Sequence, residues 1–309
     1  MSKKNLFITG ISGCVGHYLW DELKDDLEYQ LYLLVRDPAR LRFRKEAESK
    51  KNVTIIQGSM DHLVRYPDLL KTMDMAIHLA TDWGGNMNLE HTLELFELLD
   101  PERCQKVLYF STASILGPDN QPIPNAKEVG TSYVWRKWEM YKKLPALPIY
   151  PKVKVLFPTL IFGGDKDHPL SHTISGLPKA MKWAGLFRFL GFDGSFHFIH
   201  AADIAQMVKY LLKNDVAEKD IVLGLDPITF NEMVDILCKI ANKKKYFRMT
   251  ISPKFMLALA KLLSIKMNSW DKYCLEHPHL RYKVTKPEAF GLTSRYPKME
   301  GMLRAALSK

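Results

Sequence analysis

Apolar residues in the first half of the chain fall into short, unbroken runs separated by helix-length segments. The candidate strands are Leu6–Thr9, Leu31–Val35, Val53–Gln57, Met75–Leu79, Lys106–Phe110 and Lys152–Phe157. Segments such as Val15–Leu27 and Leu89–Leu99 lie between them with helical patterning. Continuous apolar runs suit strands buried on both faces. Strand–helix alternation argues a parallel sheet covered by helices on both sides. The expected class is therefore α/β, a Rossmann-type doubly wound parallel sheet over residues 1–163. After Gly163 the pattern loosens: residues 165–197 are rich in Gly, His and aromatics and show no clear period. Helical patterns resume at Ala201–Lys213 and Thr229–Asn242. Residues 164–309 are expected to form mainly a smaller lobe and C-terminal helices, with about 197–225 returning to the first domain. The lobe would sit over the C-terminal edge of the sheet, where ligands bind in open α/β folds.

The first strand runs into Thr9-Gly10-Ile11-Ser12-Gly13-Cys14-Val15-Gly16, and a helix pattern follows. A strand, glycines three apart and a helix together make a cradle for a pyrophosphate. Glycines let the backbone approach the phosphates, and the helix N-terminus offers free N–H groups and a positive dipole end. The second strand ends in Val35-Arg36-Asp37-Pro38. An acid at this edge would accept from a ribose 2′-hydroxyl, whereas an arginine accommodates a 2′-phosphate. Arg36 therefore points to NADP(H) over NAD(H), with Arg40, Arg42 and Arg44 adding positive potential.

Composition limits the alternatives. The chain has 309 residues, 47% hydrophobic, with a formal net charge of +10. That is enough apolar material for a substantial core. The positive balance fits a soluble enzyme for an anionic cofactor; no nucleic-acid module or basic stripe with interleaved aromatics is present. Cys14, Cys104, Cys238 and Cys274 lack metal-site spacing and read as reduced thiols, so a cytoplasmic location is expected. No secretory signal is visible, and no apolar run reaches the ~20 residues of a spanning helix. Lys254–Lys266 is almost wholly apolar between its lysines. Such a helix packs in a core or a dimer contact, or lies on a membrane surface.

Candidate chemistry follows the fifth strand. Lys106–Phe110 leads into Ser111-Thr112-Ala113-Ser114-Ile115-Leu116-Gly117, and Tyr133-Val134-Trp135-Arg136-Lys137 comes next. YxxxK spacing puts Tyr133 and Lys137 on one helical face, one turn apart. A tyrosine is a poor acid–base group because its pKa is near 10. A neighbouring ammonium is expected to favour the phenolate. Thr112 can hold a substrate oxygen, with Ser111 and Ser114 as competitors for that role. The set suits proton transfer coupled to hydride transfer. His197 with His200, and His277 with His279, lack a completing carboxylate or cysteine and read as structural, with no metal expected.

These features together resemble the extended short-chain dehydrogenase/reductases, the NAD-dependent epimerase/dehydratase family. The resemblance rests on Thr9–Gly16, His78-Leu79-Ala80-Thr81, Asn88–Leu93, Ser111–Gly117, Tyr133 with Lys137, Phe157–Gly163 and Phe198–Ala205. It implies that Tyr133 is the acid/base, that Lys137 holds the ribose and tunes Tyr133, and that Thr112 orients the substrate oxygen. It further implies backbone contacts to the cofactor from Gly10, Gly13, Cys14, Val15 and Gly16, and lining contacts from Ala80 and Thr81. Ser59-Met60 stands where the family has an acid near the adenine, and Asp61 falls one place late, with Met60 the expected cofactor contact.

Departures from the family narrow the substrate. Phe196, Leu160 and Phe157 stand where nucleotide-sugar members carry an arginine, an asparagine and another arginine. Arginine-to-phenylalanine changes remove an anion grip and add an apolar wall. Trp183, Phe187, Phe189 and Phe192 fit the same trend. The expected function is an NADPH-preferring oxidoreductase interconverting a carbonyl and an alcohol on a small or apolar molecule. The alternatives are a sugar epimerase or dehydratase with retained NAD(P), and a non-catalytic nucleotide-binding scaffold. Pro145, Pro148 and Pro151 shorten the Tyr133 helix, through which relatives dimerise, so a monomer or weak homodimer is expected.

Overall fold

The computed structural model describes residues 3–81, 88–176, 189–244, 248–253, 255, 262 and 267–307. The strands that carry the argument are β1 (Lys4–Thr9), β2 (Tyr29–Val35), β3 (Val53–Gln57), β4 (Met75–His78), β5 (Lys106–Phe110) and β6 (Val153–Pro158). They are followed by β7 (Leu160–Phe162), β8 (Leu190–Phe192), β9 (Ser195–Phe196), β10 (Phe198–His200), β11 (Asp220–Leu223), β12 (Ile228–Thr229), β13 (Met249–Ile251) and β14 (His279–Leu280). The longer helices are α1 (Cys14–Leu23), α2 (Asn88–Leu98), α3 (Ser132–Lys143), α4 (Ala201–Lys213) and α5 (Phe230–Ile240).

Seven strands form one sheet in the order β11-β6-β5-β4-β1-β2-β3. Every pairing in it is parallel. The chain runs outward from β1 to β3, then returns to place β4 on the other side of β1. That reversal opens a crevice at the carboxyl ends of β1 and β4, the usual ligand position in such sheets. The doubly wound α/β class expected from the sequence is the observed one.

Strand alternation divides the core between two faces. Leu6, Ile8, Leu108 and Phe110 pack on one side, with Leu19, Trp20 and Leu23 of α1 and Met207 and Leu211 of α4. Phe7, Val107 and Tyr109 pack on the other, with Leu95 and Phe96 of α2 and Val134 and Met140 of α3. Each fully buried side chain of this size contributes roughly 1.5–3 kcal/mol over an exposed one.

Local signals set the helix ends. Thr131 caps α3 by accepting from the Val134 N–H, and Pro145 lies in the 3-10 turn that follows, so the helix stops at 12 residues. A Thr229–Glu232 capping box starts α5. Helix α1 ends at Leu23, short of the expected Leu27: Asp26 turns the chain by accepting from the Glu28 N–H, and Leu27 is left exposed. At the far end of α4, the buried Lys106 ammonium donates to the Leu211 and Asn214 carbonyls at 2.7 and 2.9 Å and pairs with Asp215.

The remaining strands build small sheets beside the main one: β7 with β10, β12-β9-β14, and β8 with β13. Helix α4 and strand β11 return to the main sheet. No helix among the described residues is long and apolar enough to cross a membrane. Trp183 and Phe187, and most of Lys254–Lys266, lie outside the described residues.

Candidate active site

The glycine loop occupies the crevice end of β1. Gly10 sits at φ +77°, a left-handed conformation, and a Cβ there would lie 2.5 Å from the Ala80 nitrogen. A Cβ on Gly16 would lie 2.4 Å from the Ile11 carbonyl oxygen. Both positions require glycine for the loop to fold back on itself. Gly13 is the N-cap of α1, and no side chain caps that end. The first amides of α1, from Cys14 onward, are therefore left for an anion. Burial pushes the Cys14 thiol up to about 12, with Asp165 adding to the effect, so it is not a nucleophile.

Behind the loop, His78 at the end of β4 is fully enclosed. Its Nδ1 lies 2.7 Å from Thr9 Oγ1 and its Nε2 lies 2.9 Å from Thr92 Oγ1 on α2. Burial drives its pKa well below the usual histidine range, so the ring is a neutral tie between β1, β4 and α2. The Ala80 N–H donates to the same Thr9 hydroxyl at 3.3 Å. Ala80 therefore backs the glycine loop rather than facing the crevice. Thr81 faces it, and its buried Oγ1 has no hydrogen-bond partner.

The end of β5 supplies the hydroxyls. Thr112 caps the short turn Ala113–Ile115 by accepting from the Ser114 N–H. Its side chain also bonds the Tyr133 hydroxyl. Ser111 is buried and its Oγ has no partner. Helix α3 presents Tyr133 and Lys137 one turn apart, as the spacing predicts. Lys137 is 4% exposed, and its Nζ donates to the Phe110 carbonyl at 2.7 Å and stands 4.8 Å from the Tyr109 ring centroid.

The electrostatics differ from the sequence expectation. Burial pushes the Tyr133 phenol up to about 12, and the Thr112 hydrogen bond offsets this only in part. Burial likewise lowers Lys137 to about 7. The expected pull of Lys137 toward a phenolate is outweighed because desolvation penalises both charged forms and the ammonium is aimed at a carbonyl.

These groups share one cavity of about 590 Å³. Gly10, Gly13, Cys14, Val15 and Gly16 line one part of it, and Ser111, Thr112, Ser114, Tyr133 and Lys137 line another. Arg40 also lines it, whereas Arg36, Met60 and Ala80 do not. Arg36 is exposed just past β2, and Met60 packs against the α2/α3 side of the core. Phe196 and Leu160 line the cavity, but Phe157 does not. Phe157 is 1% exposed and meets the Tyr141 ring edge-on at 5.5 Å, so it is core and no substrate wall. Phe192 contacts Phe230 in the same edge-on manner.

Sequence reasoning missed two parts of the wall. Pro169–Thr173 follow a loop at Gly163 and Gly164, both at positive φ, held by the Tyr18 hydroxyl, which accepts from the Gly164 N–H. Leu280 and Tyr282 come from the C-terminal region, where β14 pairs with β9. His197 fastens that segment: its Nδ1 donates to the Leu225 carbonyl and its Nε2 accepts from the Tyr282 N–H. His200 caps α4 and stacks on Tyr296 at 3.8 Å. Both histidines spend ring nitrogens on the fold. The glycine cradle, the uncapped helix end and the orphaned Thr81 and Ser111 hydroxyls fit a dinucleotide.

Comparison with known proteins places the geometry. The chain aligns over its length with a UDP-N-acetylglucosamine 4-epimerase from Methanobrevibacter ruminantium M1, at 19% identity and a TM-score of 0.68, covering 100% of this chain and 98% of the other. A UDP-glucuronic acid 4-epimerase from Bacillus cereus matches at 17% identity and a TM-score of 0.66, covering 98% and 97%. A dTDP-glucose 4,6-dehydratase from Bacillus anthracis str. Ames, solved with NAD, matches at 14% identity and a TM-score of 0.65, covering 98% and 95%. These likenesses show a shared fold. No curated protein matches the chain. The model of the NAD dependent epimerase/dehydratase family matches residues 6–224, taking in the glycine loop, the Thr112 strand end, the Tyr133 helix and β11. The chain belongs to the NAD-dependent epimerase/dehydratase family.

Proposed function

We propose that the chain is an NAD(P)(H)-dependent enzyme that interconverts a carbonyl and an alcohol, with Thr112, Tyr133 and Lys137 as its working side chains. One observation carries this reading: the three converge on the cavity that the glycine loop also lines. Gly10, Gly13, Cys14, Val15 and Gly16 would cradle the pyrophosphate, and Lys137 and Thr81 would meet the nicotinamide half. The cofactor, when bound, supplies or accepts a hydride at the substrate carbon. Thr112 orients the substrate oxygen. Tyr133 exchanges the proton at that oxygen. A phenol held up at about 12 is protonated at neutral pH, which favours donation to a carbonyl oxygen and hence reduction. Lys137 binds the ribose and supplies the charge that steadies a phenolate in the reverse direction.

NADP(H) is favoured over NAD(H) by Val35 and Arg36 at the end of β2, where an acid would be expected in an NAD-preferring site, and by Arg40 on the cavity wall. An apolar, uncharged substrate is favoured by Leu160, Ile161, Phe196, Leu280 and Tyr282 around the hydroxyls. Among the described lining residues, the only arginine or lysine side chains are Arg40 and Lys137. A diphosphate on the substrate would want a further cation.

A second reading keeps NAD(P) bound and uses the hydride internally, as an epimerase or dehydratase does. Family membership and the named activities of the structural neighbours favour it over an external reductase. The experiment that tests the reading is nucleotide titration of the purified protein by fluorescence, followed by oxidation of NADPH with a panel of carbonyl compounds. NADPH preference and carbonyl-dependent turnover would support the reductase. A nucleotide that co-purifies and does not exchange would move the assignment to the second reading. Failure to bind any nicotinamide nucleotide would leave a non-catalytic scaffold. The cofactor assignment is tested with Arg36→Ala and Arg40→Ala; an unchanged NADPH:NADH affinity ratio in both would overturn it.

A further inference from the structure

The loop that follows β7, residues 163–171, closes on itself. The Ser171 N–H donates to the Gly163 carbonyl at 2.9 Å, and a Cβ on Gly164 would lie 2.6 Å from the Leu170 Cα. The base of the loop is cavity wall, lined by Pro169, Leu170 and Ser171. Its tip is fastened behind that wall. The Tyr18 hydroxyl on α1 donates to Asp165 at 3.2 Å, and the Arg42 guanidinium donates to the Asp165 and Lys166 carbonyls at 3.0 and 2.9 Å. Arg42 lies two residues past Arg40, which lines the same cavity.

One ring completes the fastening. The His168 side chain is 13% exposed and stacks on Tyr18 at 3.7 Å. It stands between two carboxylates. Nδ1 lies 2.7 Å from Asp165 Oδ1 in its own loop, and Nε2 lies 2.7 Å from Asp21 Oδ2 on α1. A neutral imidazole has one N–H and one lone pair, whereas the imidazolium donates at both nitrogens. Both contacts are therefore hydrogen bonds only in the imidazolium. Whichever proton leaves, a ring lone pair then faces a carboxylate oxygen at hydrogen-bond distance, and one link of the bridge is lost.

The other rings and the thiol nearby stay uncharged near neutral pH. On α1, burial raises the Tyr18 phenol and the Cys14 thiol and lowers His17. At the head of α4, burial lowers His200, which meets Tyr18 edge-on at 5.3 Å, to about 4, and Arg295 acts in the same direction. Within the loop, burial opposes charge on Asp165, but the His168 ring and the Asp167 and His168 amides hold its carboxyl below the usual range. Lys166 and Asp167 face each other at 3.8 Å, and Lys24 faces Asp21 at 3.5 Å.

We propose that His168 is a positioning residue for the nucleotide site: its imidazolium fastens the wall loop to α1, and loss of one ring proton loosens that wall and weakens nucleotide binding. The inference rests on the nucleotide-binding reading above and adds to it a pH dependence set from behind the cavity.

The test follows nucleotide affinity against pH by fluorescence for the full chain, His168→Gln and Asp21→Asn, with amide exchange of each protein free of nucleotide. A 2′-phosphate on the nucleotide titrates alike in all three, so the readout is the difference between proteins. As the ring deprotonates, parent affinity should fall about tenfold relative to His168→Gln, the worth of one charge-assisted hydrogen bond between partly exposed groups. Protection factors of the Gly164 and Ser171 amides should fall by the same factor. An asparagine at position 21 can accept from a ring N–H or donate to a ring lone pair, so Asp21→Asn should keep most of the parent affinity and show neither loss. Parallel affinity curves for parent and His168→Gln, or a parent-like loss in Asp21→Asn, would overturn the proposal. Absence of nucleotide binding at every pH would overturn the nucleotide reading and this role with it, whereas binding behind a wall of pH-independent protection would overturn this inference alone.

Discussion

Lys137 offers a direct measurement of how burial acts in the site. The residue is 4% exposed, its ammonium bonds one carbonyl, and burial lowers its pKa from an ordinary 10.5 to about 7. A lysine whose pKa falls on folding binds fewer protons in the native state than in the unfolded chain between those two values. Stability therefore rises with pH across that window. Each pH step is worth about 1.4 kcal/mol when one site differs fully. The whole titration amounts to roughly 5 kcal/mol, and about 4 kcal/mol of it falls between pH 6 and pH 10. Tyrosines and other lysines also titrate there, so the quantity to measure is a difference. Lys137→Met removes this one titration and keeps most of the volume. Chemical denaturation of both proteins, free of nucleotide, should show Lys137→Met the more stable at pH 6, with the wild type gaining on it by several kcal/mol as the pH approaches 10. A difference that stays constant within about 1 kcal/mol would refute the reasoning and show that the ammonium is solvated in the folded chain.

Other substitutions probe separate parts of the structure. Tyr133→Phe should retain nucleotide binding and lower turnover about 10²–10⁴-fold, the usual worth of a general acid; equal turnover would remove Tyr133 from the chemistry. Gly16→Ala forces a Cβ to within 2.4 Å of the Ile11 carbonyl oxygen. It should destabilise the fold by about 1–3 kcal/mol in thermal melts and abolish nucleotide binding in the same titration. Lys106→Met strands the carbonyls at the end of α4 and should cost about 2 kcal/mol by urea denaturation. Asp215 is 92% exposed, so its lost ion pair adds little to that cost.

Parts of this protein were legible from residue order because they depend on neighbours in the chain. The six expected strands appear within a residue or two of their places, since an unbroken apolar run has few ways to hide both faces. Gly10 and Gly16 are dictated by a loop that touches itself and the next strand end. The i, i+4 relation of Tyr133 and Lys137 is a property of any helix. Ala201–Lys213 matches its expected bounds because an amphipathic period, a capping histidine and a following asparagine agree.

Contacts between distant segments were settled only by the tertiary structure. Phe157 and Phe196 look alike in the sequence, yet one is core and the other lines the cavity, because β6 is paired on both sides within the main sheet and β9 belongs to a small sheet beside it. Arg40, not Arg36, reaches the cavity wall: it ends the short turn Pro38–Arg40 that Asp37 caps. Leu280 and Tyr282 join the site from the far end of the chain through β14. The balance at Tyr133 and Lys137 follows the same rule. Spacing sets how far apart they stand on the helix, but how much water is taken from each depends on every segment packed around the cavity, and here desolvation is the largest effect on both.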